Sequence, residues 1–159
     1  MATGSKIRYF FILLVYAFLP ASCENNKNDV IPDTYTDFTI DVAGDIFFSD
    51  LNAIGMSAIV TSQTNNWGSR AGGYDHNGII VYRANLEDFF AYDRTCPHDY
   101  AVNSLSIKVK VDFTQAICPQ CSTYYELSVG GISSSGPGKY PLKNYRTTFD
   151  GRYVRVSNY

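Results

Sequence analysis

This sequence has little of several things, and each shortage excludes a class. Its apolar run Tyr9–Leu19 is eleven residues long, while a membrane-spanning helix needs about 20. A formal net charge of −2 leaves no basic patch of the kind nucleic-acid binding demands. Four cysteines are too few for a disulfide scaffold. There are only two histidines, His76 and His98, and neither Gly-x-Ser-x-Gly nor a phosphate-cradling loop occurs, so an enzyme is the weakest option. What is present is apolar and aromatic. At 45% hydrophobic and 15% aromatic the chain is neither disordered nor low in complexity. Its 159 residues suit one domain with a real core, and no internal repeat is found.

Lys6 and Arg8 precede the apolar run, the pattern of a secretory signal peptide. The run ends in Leu19-Pro20-Ala21-Ser22-Cys23, which resembles the lipobox of bacterial lipoproteins, with Pro20 departing from the usual aliphatic residue. The resemblance implies cleavage after residue 22 and a lipid on Cys23; ordinary cleavage near Ala21 is the alternative. Residues 23–34 are polar and read as a flexible tether. Losing the leader removes Lys6 and Arg8 and no acidic residue, so the formal charge falls from −2 to −4. The expectation is an exported protein, anchored by lipid to a bacterial membrane and facing the periplasm or the exterior.

From residue 35 to residue 159 the expected class is all-β, a small sandwich or barrel. Thr36–Val42 alternates polar and apolar residues, the period of a half-buried strand. Segments 57–60, 79–83, 89–92, 104–111, 113–117, 124–127, 140–148 and 153–156 read the same way. Asn77-Gly78 and Asp150-Gly151 favour tight hairpins, and residues 130–138 mark a longer loop. His76, beside Asn77-Gly78, reads as an exposed turn residue. The tyrosines crowding the C-terminal third read as half-buried strand residues rather than a binding surface.

Two loops carry chemistry. The first is Arg94-Thr95-Cys96-Pro97-His98-Asp99 and the second is Cys118-Pro119-Gln120-Cys121-Ser122. Nineteen residues lie between His98 and Cys118, enough for a hairpin that brings the loops together. Three thiolates and one imidazole on Pro-stiffened turns suit a transition metal or an iron–sulfur cluster.

Phe90–His98, Cys118–Cys121, Tyr125-Glu126, Gly136-Pro137-Gly138 and the segments Leu142–Tyr145 and Gly151–Val156 together resemble the Rieske iron–sulfur domains. Residues 79 to 157 carry the likeness; residues 35 to 78 fit only as generic strands. It implies a Rieske-like all-β domain with a loop-rich cluster-binding subdomain at about residues 94–138. It also implies a [2Fe–2S] cluster with Cys96, His98, Cys118 and Cys121 as ligands, Thr123 as a hydrogen-bond donor near the cluster, and Pro137 in a shielding loop. The family's last ligand is histidine, and here it is Cys121. A third thiolate favours oxidised iron and lowers the potential, toward about −400 mV rather than the −150 to +300 mV of Rieske centres. The implied function is electron transfer, with a redox partner protein docking near His98. Two other readings of the same residues stay open: a structural zinc site, and a metal-free binding module in which the cysteines form disulfides.

Overall fold

Ile79-Ile80-Val81-Tyr82 places four apolar residues in succession, and all four are buried. A strand shows its side chains alternately to two faces, so this strand must have protein on both sides. That double burial organises the molecule. The computed structural model describes residues 30–158; the expected leader and Cys23, the expected site of lipidation, lie outside the described residues.

Ten strands and one α-helix follow in chain order: β1 Asp37–Asp41, β2 Ser57–Val60, β3 Ile79–Arg83, β4 Phe89–Asp93, α1 Pro97–Asn103, β5 Lys110–Asp112, β6 Gln115–Ile117, β7 Tyr124–Glu126, β8 Ile132–Ser135, β9 Asn144–Phe149 and β10 Tyr153–Ser157. Six of the strands form one antiparallel sheet in the order β1-β10-β9-β4-β3-β2. The other four form a second antiparallel sheet, β5-β6-β7-β8. The protein is all-β, as the alternating segments require.

One face of the larger sheet gathers Phe38, Ile40, Val60, Ile79, Val81, Phe89, Ala91, Val154 and Val156 into a single core. The 3-10 segment Ile46–Asn52 closes it with Phe48 and Leu51. Trp67 stacks on Phe38 and Phe48, with ring centroids 5.2 and 6.0 Å apart. The opposite face of β3 and β4 supplies Ile80, Tyr82 and Tyr92 to a second core shared with the smaller sheet, where they meet Val109, Ala116, Tyr125, Leu127 and Leu142. Cys96 and Cys118 belong to this second core. The candidate site therefore sits where the two sheets meet, not on a free loop tip.

The strand expectations at 57–60 and 79–83 are met in full, and Asp150-Gly151 turns β9 into β10. Four segments differ. Residues 140–143, expected to open the strand 140–148, lie outside β9, which begins at Asn144. Residues 97–103, outside every expected strand, form α1, and the expected strand 104–111 shrinks to a bridge between Lys108 and Thr95 and the start of β5. Residues 132–135, expected within a loop, pair with β7 as β8. Asn77-Gly78 forms no hairpin; Asn77 is buried and donates to Thr95 Oγ1 at 2.8 Å and Ser106 Oγ at 2.7 Å. The end of the expected tether also packs on the body. Ile31 is buried, its carbonyl accepts from Lys143 Nζ at 2.7 Å, and the same ammonium pairs with Asp33. Among the described residues no helix is long and apolar enough to cross a membrane.

Candidate metal centre

The first loop leaves β4 at Asp93 and is fixed at once. The Thr95 amide donates to Asp93 Oδ1 at 2.8 Å, and the Cys96 amide donates to the Ile107 carbonyl at 2.8 Å. Pro97 then opens α1, with Cys96 as its extended N-cap. Proline suits this position because its ring sets φ for a helix and the missing N–H would have had no intrahelical partner. Asp99 is the third residue of the helix, where a side chain reaches back toward the N-cap residue. Ser104, at φ 55°, ends the helix in the left-handed region.

The second loop joins β6 to β7. The Cys118 amide donates to the Thr123 carbonyl at 2.9 Å, and the Ser122 amide donates back to the Cys118 carbonyl at 3.0 Å. Ser122 adopts φ 57° to close this turn. The result is a tight knuckle that directs Cys118 and Cys121 to one side.

The two loops bring Cys96, Asp99, Cys118 and Cys121 together, with one donor atom from each lying within 4.8 Å of the others. All three cysteines are free thiols, Cys96 and Cys118 fully buried and Cys121 partly so. Cys118 Sγ donates to Asp99 Oδ2 at 2.9 Å, and Cys96 Sγ lies 3.7 Å from Cys121 Sγ. A metal with sulfur bonds of about 2.3 Å holds tetrahedral thiolates about 3.8 Å apart, so the Cys96–Cys121 spacing suits two sulfurs on one metal.

Polar groups line the sulfurs. Tyr125 Oη stands 3.3 Å from Cys96 Sγ, and Thr123 Oγ1 stands 3.1 Å from Cys121 Sγ. Thr123 Oγ1 accepts from the Gly138 amide at 3.0 Å, which leaves the hydroxyl proton free for the Cys121 sulfur. The neighbouring Cys118 thiol, by hydrogen bonding, draws Cys96 down to about 7 against the effect of burial. The same pairing, with burial and the Asp99 carboxylate, pushes Cys118 up. Burial raises Cys121. For Asp99, burial opposes ionisation, but hydrogen bonds from the Cys118, Cys96 and Cys121 thiols outweigh it and hold the carboxyl below its usual range. The site thus holds a carboxylate and one readily ionised thiol, and a metal would displace the remaining thiol protons.

Of the residues expected from sequence, Cys96, Cys118 and Cys121 converge. His98 is half-buried and lies outside the donor group. Thr123 is fully buried against Cys121. Pro137 is exposed, on the loop whose Gly138 amide reaches Thr123. His76 is exposed in the short 3-10 turn Tyr74–His76. Two residues escaped the sequence reading: Asp99, flagged only by Pro at the start of a helix and an acid in its first turn, and the Tyr125 hydroxyl, for which sequence holds no signal.

Three thiols and a carboxylate are ligands that zinc and iron both accept, and thiolates are what iron–sulfur centres use. The donor chemistry fits a protein-bound metal centre. Fold and site together define an all-β protein with a buried, thiol-rich, metal-competent centre between two sheets. No family model and no curated protein matches the chain. Among solved structures it is similar to a chain of the complex of reduced oxygenase and oxidized ferredoxin in carbazole 1,9a-dioxygenase (19% identity, 66% of this chain and 82% of that chain, TM-score 0.44). It is also similar to the ferredoxin of carbazole 1,9a-dioxygenase from Nocardioides aromaticivorans (13% identity, 67% and 88%, TM-score 0.42). A third likeness is to the cyanobacterial plasma membrane Rieske protein PetC3 from Synechocystis (18% identity, 63% and 98%, TM-score 0.44).

Proposed function

We propose that this chain is an exported, lipid-anchored electron-transfer protein with an iron–sulfur centre of the [2Fe–2S] type between the Cys96 loop and the Cys118–Cys121 loop. The observation that carries the reading is the convergence of three free thiols, contributed by two separate loops, on one point of the second core. Cys96, Cys118 and Cys121 would hold the iron. When bound, the cluster supplies a site for one electron, taken from one protein partner and passed to another. The Tyr125 and Thr123 hydroxyls, 3.3 and 3.1 Å from the Cys96 and Cys121 sulfurs, would favour the reduced form of a bound cluster through hydrogen bonds to its thiolate ligands. A redox partner would dock over the α1 end of the site, where His98 is half-exposed.

The test is iron, zinc and acid-labile sulfide per chain in protein purified without oxygen, followed by EPR after reduction with dithionite. About two irons and two sulfides with a signal in the reduced state are expected. One zinc without sulfide makes the centre structural, and no metal with oxidised thiols makes the protein a metal-free binding module; either result overturns electron transfer. The anchor has its own check. Labelling with a palmitate analogue is expected in the wild type and lost in Cys23→Ala, and labelling that persists in the variant refutes lipidation at Cys23.

A further inference from the structure

The loop sequence Cys96-Pro97-His98-Asp99 offers two ways to complete the three thiols. If the loop were extended, alternation would place residues 96 and 98 on one side, and His98 would join Cys96. The chain is instead helical from Pro97. At about 100° per residue a helix turns residue i+2 roughly 200° away and brings i+3 back to within about 60°. Cys96 and Asp99 therefore share a face, and His98 is turned off it.

The surroundings of the two side chains agree with that geometry. Asp99 is 2% exposed, and its Oδ2 accepts from Cys118 Sγ at 2.9 Å. A buried carboxylate aimed into three thiols places an anionic oxygen donor where the sulfurs converge, and a shared metal ion would offset the cost of burying that charge. His98 is half-buried and contributes no atom to the donor group.

We propose that Asp99, not His98, is the fourth metal-ligating residue, so that the centre is held by three thiolates and one carboxylate. This rests on the metal-centre reading above. Its consequence is that His98 is free of the metal and available to the surface a partner would meet.

The experiment uses the full chain, purified without oxygen, as wild type, Asp99→Asn, Asp99→Cys and His98→Gln. Metal per chain, chelator competition and the thiolate-to-metal absorption spectrum are read, with circular dichroism as the check on folding. His98→Gln is expected to keep the wild-type metal content and spectrum. Asp99→Asn keeps the shape of the side chain but loses the charge, and is expected to release metal to a chelator at about 100-fold lower chelator concentration, since even supporting residues cost 10- to 100-fold. Asp99→Cys is expected to retain metal and to gain charge-transfer absorption from a fourth thiolate. Wild-type affinity in Asp99→Asn overturns the assignment, and so does loss of metal in His98→Gln. Should Asp99→Asn fail to fold, Asp99→Cys decides, because an unchanged absorption spectrum there overturns the assignment equally. A wild type that binds no metal overturns the metal centre and this assignment together, and the wild-type sample alone distinguishes that failure from the others.

Discussion

Asp93→Ala is expected to destabilise the fold by about 3–5 kcal/mol and to loosen the Cys96 loop in the same step. Asp93 is fully buried at the end of β4 and its carboxylate accepts three hydrogen bonds. They come from the Tyr74 amide at 2.6 Å, the Tyr145 hydroxyl at 2.7 Å and the Thr95 amide at 2.8 Å. Those donors belong to a 3-10 turn, to β9 and to the first cysteine loop, so one side chain ties three separate segments. Alanine takes the acceptor from the buried Thr95 amide and the partly buried Tyr74 amide and leaves the Tyr145 hydroxyl only Thr34 Oγ1, 3.5 Å away, and each buried group left unsatisfied costs about 1–3 kcal/mol. Tyr145→Phe removes one of the three bonds and is expected to cost about 1 kcal/mol. Asp93→Asn separates the parts: its oxygen can serve Tyr74 and Tyr145 where Oδ2 does now, but its amide then faces the Thr95 N–H donor to donor. The expected loss is intermediate and falls on the residue next to Cys96. Urea unfolding followed through Trp67, the single tryptophan, reads all three variants. An Asp93→Ala variant within about 1 kcal/mol of wild type would show that the carboxylate is not the tie the geometry indicates.

The strands of the larger sheet were legible because burial there follows the period of a strand. Phe38 and Ile40 in β1 alternate with exposed or half-buried neighbours, and in β10 Val154 and Val156 flank the exposed Arg155. β3 carries no alternation, and its apolar run was readable as a strand only by length and β-branched content. Why it is apolar throughout became clear from the second core behind it, which sequence does not display. The short strands were harder. β8 is Ile-Ser-Ser-Ser, with almost nothing to bury, and it exists because β7 offers it an edge.

The site was half legible for a related reason. Three cysteines on two proline-bearing loops announce a common centre whatever the backbone does between them. The fourth donor depends on backbone period. Residues 104–111 alternate cleanly and read as a strand, nothing marks residues 97–103 as a helix except its start signals, and His98 enters the ligand set only through the resemblance of Cys96-Pro97-His98 to the Rieske loop. Pro97 and Asp99 are the start signals of a helix, and seven residues of helix replace a period of 2 with one of 3.6. That change exchanges His98 for Asp99 at the thiols. Tyr125 could be placed on a strand but not paired with Cys96, because the contact spans two loops and depends on how the sheets dock.

Gly136→Ala is expected to damage the second cysteine loop far more than an equivalent change at another turn glycine. Gly136 sits at φ +90°, and a Cβ there would fall 2.7 Å from Thr123 Cα and 2.8 Å from the Ser122 carbonyl oxygen. Both are backbone atoms of the knuckle that carries Cys121, so neither can rotate aside as a side chain would. Strain of the left-handed backbone costs about 1–3 kcal/mol and the forced shift about 1–3 more. Gly151 is the internal control. It has φ +99° but nothing within 4 Å of its added Cβ, so Gly151→Ala carries the strain without the collision. The difference between the two variants in unfolding free energy, expected at about 1–3 kcal/mol, isolates the contact between the residue 136–138 loop and Thr123. The Gly136 variant has a second consequence that the control lacks. Moving Ser122 and Thr123 breaks the Gly138 amide to Thr123 Oγ1 bond and takes away the hydroxyl that favours the Cys121 thiolate, so Cys121 is expected to react more slowly with a thiol reagent in the metal-free protein. Equal stability losses and equal Cys121 reactivity in the two variants would mean that the loop does not brace the cysteine knuckle.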